Sequence, residues 1–274
     1  MSYAEWSDHD TRGQIAVPVA SDDKYSRGVL GVVTDSTDYP GAAVLGVEAA
    51  LHTGVGMLRY LGPGRPTRLV LQRRPEVVTK AGRVQAWLVG SGQDAGTRDA
   101  ATASLLTAVL AQGLPTVIDA GALDLLDTVC GPVVVTPHFG ELARVLTATK
   151  SDIAANPAAW AVRAAETLGV TVLLKGASTF IADPQGPRFV VRSNVAWTAT
   201  AGAGDALAGI LGALVATHAS EIAADAGQLA HLAAAAASLH ASAAARASGG
   251  GPFVILDLAS SVSAVVRELL ADTV

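Results

Sequence analysis

Short runs dominated by Val, Ile and Leu alternate with helical stretches along most of the chain, and this alternation constrains the fold more than any other feature. Helical patterns over 40–54 and 97–113 each follow such a run. Strands without polar alternation are buried on both faces, as in parallel sheets whose strands are joined by helices. We therefore predict an α/β fold with a mostly parallel central sheet between two layers of helices. The predicted strands cover 29–34, 84–90, 115–120, 132–137 and 171–176.

The pattern changes after the last of these runs. Two strand-like segments, 178–183 and 188–193, flank the turn sequence PQGP, which predicts an antiparallel β-hairpin. No linker, repeat or charged tail divides the chain, so we predict a single domain over 21–274. The N-terminal segment 1–20 is expected to be flexible or used in subunit contacts. The predicted C-terminal helices cover 203–217, 221–247 and 257–271.

Composition limits the classes of partner. Apolar residues form 50% of the chain and the net charge is −5, which favours binding neither to nucleic acid nor to an anionic membrane. The Ala-rich tract 232–245 is interrupted by Ser and His and is too weakly hydrophobic for a membrane span. Cys130 is the single cysteine, so no disulfide framework is expected, and we predict a cytoplasmic protein. The polar N-terminus shows no signal-peptide pattern.

The sequence TATAGAGDALAGI (198–210) carries the strongest local signal. Its small residues bring Gly202, Ala203 and Gly204 to the start of a predicted helix, where free N–H groups favour an anion. Asp205 follows in the first turn. This carboxylate could cap the helix or act as a general base. Phosphoryl transfer needs both an anion site and a base for the attacking hydroxyl.

Other predicted strands also end in polar residues. The stretch VVVTPHFGE places His138 and Glu141 just beyond a strand, where they could form a capping box or contact a ligand. Lys175 and Asp119 lie at the ends of two further strands. Ligands collect outside the carboxyl ends of parallel strands, so this convergence predicts a site at that edge of the sheet.

Together, the motifs YPGAAVL, TPHFGELARVL, LLKGASTFIADP and TATAGAGDALAGI resemble those of the ADP-dependent NAD(P)H-hydrate dehydratases, a branch of the ribokinase-like superfamily. The resemblance covers about residues 24–245 in the same order. It implies a three-layer αβα ribokinase-like fold. It also implies a metabolite-repair reaction: the ring hydroxyl of hydrated NADH or NADPH is phosphorylated from ADP or ATP in the presence of Mg²⁺, and phosphate then leaves.

The resemblance implies roles for individual residues. Asp205 would be the catalytic base, and Glu141 would help to hold Mg²⁺ through water. Asp205 would also contact the hydrated dinucleotide, together with Ala42, Ala43, Gly92 and His138. The adenine nucleotide would be bound by Lys175, Gly176, Ala177, Ser178, Thr179, Gly202, Ala203 and Gly204.

The resemblance also implies an assembly and a pathway partner. Family members and the Ala-rich 226–247 region favour a homo-oligomer such as a tetramer. Members are often fused to an epimerase that acts on the other hydrate isomer. Because 274 residues leave no room for that domain, we expect the epimerase to be a separate protein.

Some residues depart from the family pattern. Thr34 and Asp35 stand where glycines are usual, and GSGQD (90–94) replaces a loop richer in glycine and proline. The Asp35 carboxylate would repel a phosphate-rich ligand unless it points away or binds a cation. Two alternatives therefore stay open: a ribokinase-like kinase of a small alcohol, and a nucleotide-binding homologue without catalytic activity. The first strand is not followed by Gly-x-Gly-x-x-Gly, which argues against an NAD-dependent oxidoreductase.

Overall fold

Nine strands form one sheet within residues 2–271, the part of the chain that the computed structural model describes. The strands are β1 (Ala4–Glu5), β2 (Val29–Val33), β3 (Met57–Tyr60), β4 (Ala86–Val89), β5 (Thr116–Ile118), β6 (Val133–Val135), β7 (Thr171–Leu174), β8 (Ser178–Ala182) and β9 (Arg188–Arg192). Their order across the sheet is β1-β9-β8-β7-β6-β5-β4-β2-β3. Both pairings of β8 are antiparallel, and the other pairings among the described residues are parallel. The predicted mostly parallel sheet and hairpin are confirmed.

Helices cover both faces of the sheet. They are α1 (Asp8–Gly13), α2 (Ala42–Thr53), α3 (Gly64–Arg73), α4 (Ala100–Leu110), α5 (Phe139–Val145), α6 (Lys150–Ala155), α7 (Pro157–Leu168), α8 (Ala203–Thr217), α9 (Ala219–Ala224), α10 (Gln228–Ser248) and α11 (Ile255–Ala271). Two 3₁₀ segments span Ala120–Thr128 and Ala196–Thr198. No helix in this described range is long and apolar enough to cross a bilayer.

Successive side chains of each central strand enter different cores. Leu30 packs into a core shared with α2, α8, α10 and α11, whereas its neighbour Val29 packs into a core shared with α4, α5 and α7. Both residues are fully buried because each face of the sheet is covered. The predicted three-layer αβα architecture is therefore confirmed.

Two glycines let α2 and α8 pack unusually close to each other. A Cβ atom added at Gly209 of α8 would lie 2.1 Å from the carbonyl oxygen of Gly46 in α2. A Cβ added at Gly46 would lie 3.4 Å from the carbonyl oxygen of Asp205. Backbone therefore packs on backbone along this contact, and the N-termini of the two helices are held side by side at one edge of the sheet.

Several elements differ from the sequence-based expectation. Residues 4–13, within the segment expected to be flexible or used in subunit contacts, form β1 and α1, and β1 pairs with β9. The strand β3 and the helices α3, α6 and α7 were not predicted. The predicted helix 221–247 is interrupted at Asp225–Gly227, because Asp225 Oδ1 accepts a hydrogen bond from the Gly227 N–H and forms a turn.

Candidate active site

The carboxyl ends of β5, β6 and β7 bring three charged side chains together. Lys175 Nζ lies 2.8 Å from Asp119 Oδ1 and 3.9 Å from Glu141 Oε2. The parallel register of the three strands creates this contact, because Lys175 and Asp119 are 56 positions apart in the sequence. A lysine at a strand end thus points into the protein rather than into solvent.

Asp119 is a buried carboxylate that accepts hydrogen bonds from three side chains. Besides Lys175, it accepts hydrogen bonds from the Thr136 hydroxyl at 2.7 Å and the Ser91 hydroxyl at 3.0 Å. Burial opposes ionisation, but the Lys175 ammonium and these donors hold the pKa of Asp119 below its usual value. Burial likewise acts against the charge of Lys175, and Asp119 and Glu141 raise the lysine pKa above its usual value. The pair is therefore fully ionised.

The N-terminus of α8 lies directly above this pair. Gly202 precedes the helix with φ +92°, a left-handed conformation that favours glycine. A Cβ at Gly204 would lie 3.3 Å from Lys175 Nζ, so the lysine approaches the first turn closely. The N–H groups of Gly204 and Asp205 donate no hydrogen bond within the described residues. This end of α8 is thus suited to bind an anion.

Asp205 has the ionisation expected of a base that works near neutral pH. Its carboxylate forms no hydrogen bond to any of residues 2–271. Burial, together with the negative charges of Asp119 and Glu141, raises its pKa to about 7, although Lys175 acts in the opposite direction. A general base is most effective when its pKa lies near the working pH. The capping role that the sequence left open for Asp205 is not seen, since its side chain caps no N–H group.

His138 and Glu141 form a capping box at the start of α5. The Nδ1 atom of His138 accepts hydrogen bonds from the N–H groups of Gly140 and Glu141, at 2.9 and 3.1 Å, and Glu141 Oε2 accepts one from the His138 N–H at 2.8 Å. Nδ1 therefore carries no proton, and Nε2 lies 3.4 Å from Glu141 Oε1 on the exposed side of the ring. Capping and ligand contact are compatible, because they use different ring nitrogens.

A second wall of the site contains Asp35, Ala42, Ala43 and Gly92. A Cβ added at Gly92 would lie 2.7 Å from Ala42 Cβ and 2.8 Å from Asp35 Oδ1. The Asp35 carboxyl is buried and accepts a hydrogen bond from the Ala43 N–H at 2.6 Å, so it points towards the start of α2. Burial raises its pKa to about 8, which leaves the carboxyl largely protonated at neutral pH. A largely neutral carboxyl repels phosphate less than the sequence suggested.

The turn between β7 and β8 contains the residues predicted to bind nucleotide. Gly176 and Ala177 are exposed, and Ser178 and Thr179 begin β8 partly buried. A Cβ at Gly176 would lie 3.0 Å from both Phe139 Cζ and the Ser178 carbonyl oxygen, so the turn passes close to α5. The structure therefore places this turn beside Lys175 and the α8 N-terminus. Binding of nucleotide there stays a prediction.

The site does not contain a complete protein cage for a metal. No group of three or more His, Cys, Asp and Glu side chains is arranged to hold one within the described residues. Mg²⁺ is usually held by one or two carboxylates, water molecules and the phosphates of the substrate. Glu141 offers carboxylate oxygens at this edge of the sheet, so the site fits an Mg²⁺ ion that arrives with a nucleotide.

Sequence reasoning missed part of the site. Asp119 was recognised only as a polar strand end, and Ser91 and Thr136 received no role. His240, in α10, was also overlooked, although its Nε2 lies 3.0 Å from the carbonyl oxygen of Ala203. Its position in an otherwise Ala-rich helix was the available signal.

A mostly parallel sheet between two helical layers, with an aspartate at a glycine-rich helix start, is the arrangement of the ribokinase-like fold. A ribokinase-like superfamily protein from Enterococcus faecalis V583 has the same fold, with a TM-score of 0.84 at 22% identity over 97% of this chain and 96% of that one. The model of the NAD(P)H-hydrate dehydratase family matches residues 30–256, and the chain belongs to that family.

Individual relatives agree with this assignment. The bifunctional NAD(P)H-hydrate repair enzyme Nnr of Mycobacterium tuberculosis is 44% identical over 220 residues, which cover 76% of this chain and 45% of the relative. The chain thus spans less than half the length of that protein. The ADP-dependent (S)-NAD(P)H-hydrate dehydratase of Neisseria meningitidis serogroup B is 34% identical over 69% of each chain. The ADP/ATP-dependent NAD(P)H-hydrate dehydratase of Bacillus subtilis, co-crystallised with ATP/Mg²⁺, has a TM-score of 0.86 at 23% identity over 98% of this chain and 99% of that one.

Proposed function

We propose that the chain dehydrates hydrated NADH or NADPH and uses ADP or ATP as the phosphate donor. The observation that carries the proposal is Asp205, a carboxylate with a pKa of about 7 next to the free N–H groups of a glycine-rich helix start. The relatives named as NAD(P)H-hydrate repair enzymes and dehydratases support the choice of substrate.

The reaction joins the ring hydroxyl of the hydrate to the terminal phosphate of the nucleotide. Asp205 takes the proton of the ring hydroxyl, whose oxygen then forms a bond to the terminal phosphorus of the nucleotide as the bond to the nucleotide oxygen breaks. The N–H groups at the start of α8 stabilise the transferring phosphoryl group. Phosphate is a much better leaving group than hydroxide. The lone pair of the ring nitrogen expels it, a proton leaves the neighbouring ring carbon, and NAD(P)H is restored.

The remaining predicted residues have supporting positions. Ala42, Ala43 and Gly92 would face the hydrated dinucleotide from the second wall, and the outer nitrogen of His138 would contact it from the start of α5. The turn from Lys175 to Thr179 would face the adenine nucleotide. Bound Mg²⁺ would reduce the negative charge on the phosphates, and Glu141 would contact it through water.

Other parts of the proposal concern the protein's context. A homo-oligomer, a cytoplasmic location and a separate epimerase remain proposals based on the family resemblance and on the single cysteine. The bifunctional name of the mycobacterial relative shows that a second repair activity can reside in the same chain as a dehydratase.

The experiment mixes the purified protein with chemically hydrated NADH, Mg²⁺ and either ADP or ATP, and follows the near-ultraviolet absorbance of the reduced nicotinamide. Recovery with one nucleotide supports the reaction and identifies the donor. Asp205→Asn should lower turnover by about 10²–10⁴-fold, with nucleotide binding retained. Asp257→Asn is the matched control, because Asp257 lies in the first turn of α11 and is exposed. Failure of the wild-type protein with both nucleotides, despite nucleotide binding, would favour a kinase of another alcohol.

A further inference from the structure

His240 makes an isolated polar contact between two closely packed helices. α10 packs against α8 mainly through alanine and leucine side chains. The His240 ring is the exception, since it reaches the first residue of α8 and places Nε2 3.0 Å from the Ala203 carbonyl oxygen. A carbonyl oxygen can only accept a hydrogen bond, so Nε2 must carry the proton and donate it.

This hydrogen bond adds a restraint, besides the helix itself, on the orientation of one peptide group. The Ala203 carbonyl and the Gly204 N–H belong to the same trans peptide, in which the two bonds point in opposite directions. Holding the carbonyl towards His240 therefore aims the Gly204 N–H away from α10. That N–H is one of the two donors at the start of α8 without a partner in the described structure.

The His240 ring is neutral and acts on α8 through an oriented hydrogen bond. Burial lowers the pKa of His240 to about 4, and the nearby Lys175 ammonium lowers it as well. The hydrogen bond to Ala203 acts in the opposite sense and does not reverse the shift. A neutral ring donates its hydrogen bond without adding a second positive charge beside Lys175.

We propose that His240 is a positioning residue for phosphoryl transfer. Its hydrogen bond to the Ala203 carbonyl holds the first turn of α8, so that the Gly204 N–H faces the transferring phosphoryl group and Asp205 keeps its place beside it. The inference rests on the proposed function, since it assigns His240 a part in that reaction. His240 contacts neither substrate and acts only through the α8 backbone.

The test compares two substitutions at this position. His240→Leu fills similar space without a donor, whereas His240→Gln can place an amide N–H near the position of Nε2. A misplaced first turn should lower kcat for hydrated NADH by about tenfold or more in His240→Leu, with a much smaller change in KM for the hydrate. His240→Gln should recover most of kcat. His231→Gln is the control, because His231 lies on the same helix and packs against Trp6 and Phe189, away from the site.

The activity of the wild-type protein and the kcat values of the variants distinguish this inference from the function on which it rests. An inactive wild-type protein would refute the proposed function, and the inference with it. An active wild-type protein with unchanged kcat in His240→Leu would refute the inference alone. Equal losses of kcat in the Leu and Gln variants, in parallel with equal losses of thermal stability, would also overturn it, because they would show a packing role only.

Discussion

Replacing Lys175 with methionine should destabilise the fold far more than breaking an exposed ion pair of the same length. Lys175 Nζ lies 2.8 Å from Asp119 Oδ1, and the two side chains are 18% and 3% exposed. Arg192 Nε lies 2.9 Å from Glu5 Oε1, between side chains that are 63% and 73% exposed. The two pairs therefore differ mainly in burial, and Arg192→Met serves as the matched control.

Burial sets the size of the expected effect. Coulomb's law gives an attraction of ~6 kcal/mol for the 2.8 Å pair at an effective dielectric constant of about 20. For the 2.9 Å pair in bulk water it gives ~1.4 kcal/mol. Hydration lost by the ions offsets much of each attraction. Removing one partner of a buried pair costs about 3–5 kcal/mol because a charge stays behind, whereas an exposed pair contributes about 0.2–1 kcal/mol. We expect about 3 kcal/mol for Lys175→Met, because Asp119 keeps two hydroxyl donors and can take up a proton.

Urea unfolding across pH supplies the measurement. In the wild-type protein the pKa of Asp119 lies below its usual value, so its stabilisation is present above the unfolded-state pKa and is lost as the pH falls through the folded-state pKa. Without Lys175, burial raises the pKa of Asp119, and stability should fall as the pH rises from about 4 to 7. Equal losses in Lys175→Met and Arg192→Met, or an unchanged sign of the pH dependence, would refute the reasoning.

Three further outcomes are expected. The kcat/KM for hydrated NADH should fall as the pH drops below about 7, because Asp205 becomes protonated; a profile flat to pH 5 would contradict its role as base. Asp35→Asn should raise stability in urea more at pH 8 than at pH 4, because burial makes ionisation of the native carboxyl costly as the pH rises towards its raised pKa. Gly209→Ala should lower the melting temperature, because its Cβ would lie 2.1 Å from the Gly46 carbonyl oxygen. Gly13→Ala, in open space, should not lower it.

The sequence predicted the elements with strong patterns and missed those with weak ones. The apolar strands and the hairpin were predicted close to their observed bounds. The strand Met57–Tyr60 is short and carries Arg59, whose guanidinium donates to the Lys80 and Arg83 carbonyl oxygens, so its sequence lacks the continuous apolar character of the other strands. The helix Gly64–Arg73 begins with Gly and contains Pro, two residues that weaken a helical prediction.

Within the site, the sequence predicted which residue types occur but could not predict which side chains contact each other. The glycine-rich helix start and the polar strand ends indicated one edge of the sheet. The contact between Lys175 and Asp119 depends on the register of three strands, which a single sequence does not reveal. The inward orientation of Asp35 depends on its φ of +79°, a left-handed conformation that is uncommon for residues other than glycine. His240 stood out in the sequence of an Ala-rich helix, but its contact with Ala203 depends on how α10 packs against α8.

The glycine contact between α2 and α8 limits the effect that sequence changes in the loops have on the geometry of the site. The wall that would hold the dinucleotide begins α2, and the turn that would hold the phosphoryl group begins α8. Their separation is fixed below the site by main-chain atoms at Gly46 and Gly209, which no side-chain exchange in the loops above can alter. A substitution in the loops at 34–36 or 90–94 therefore leaves the distance between the two halves of the site unchanged.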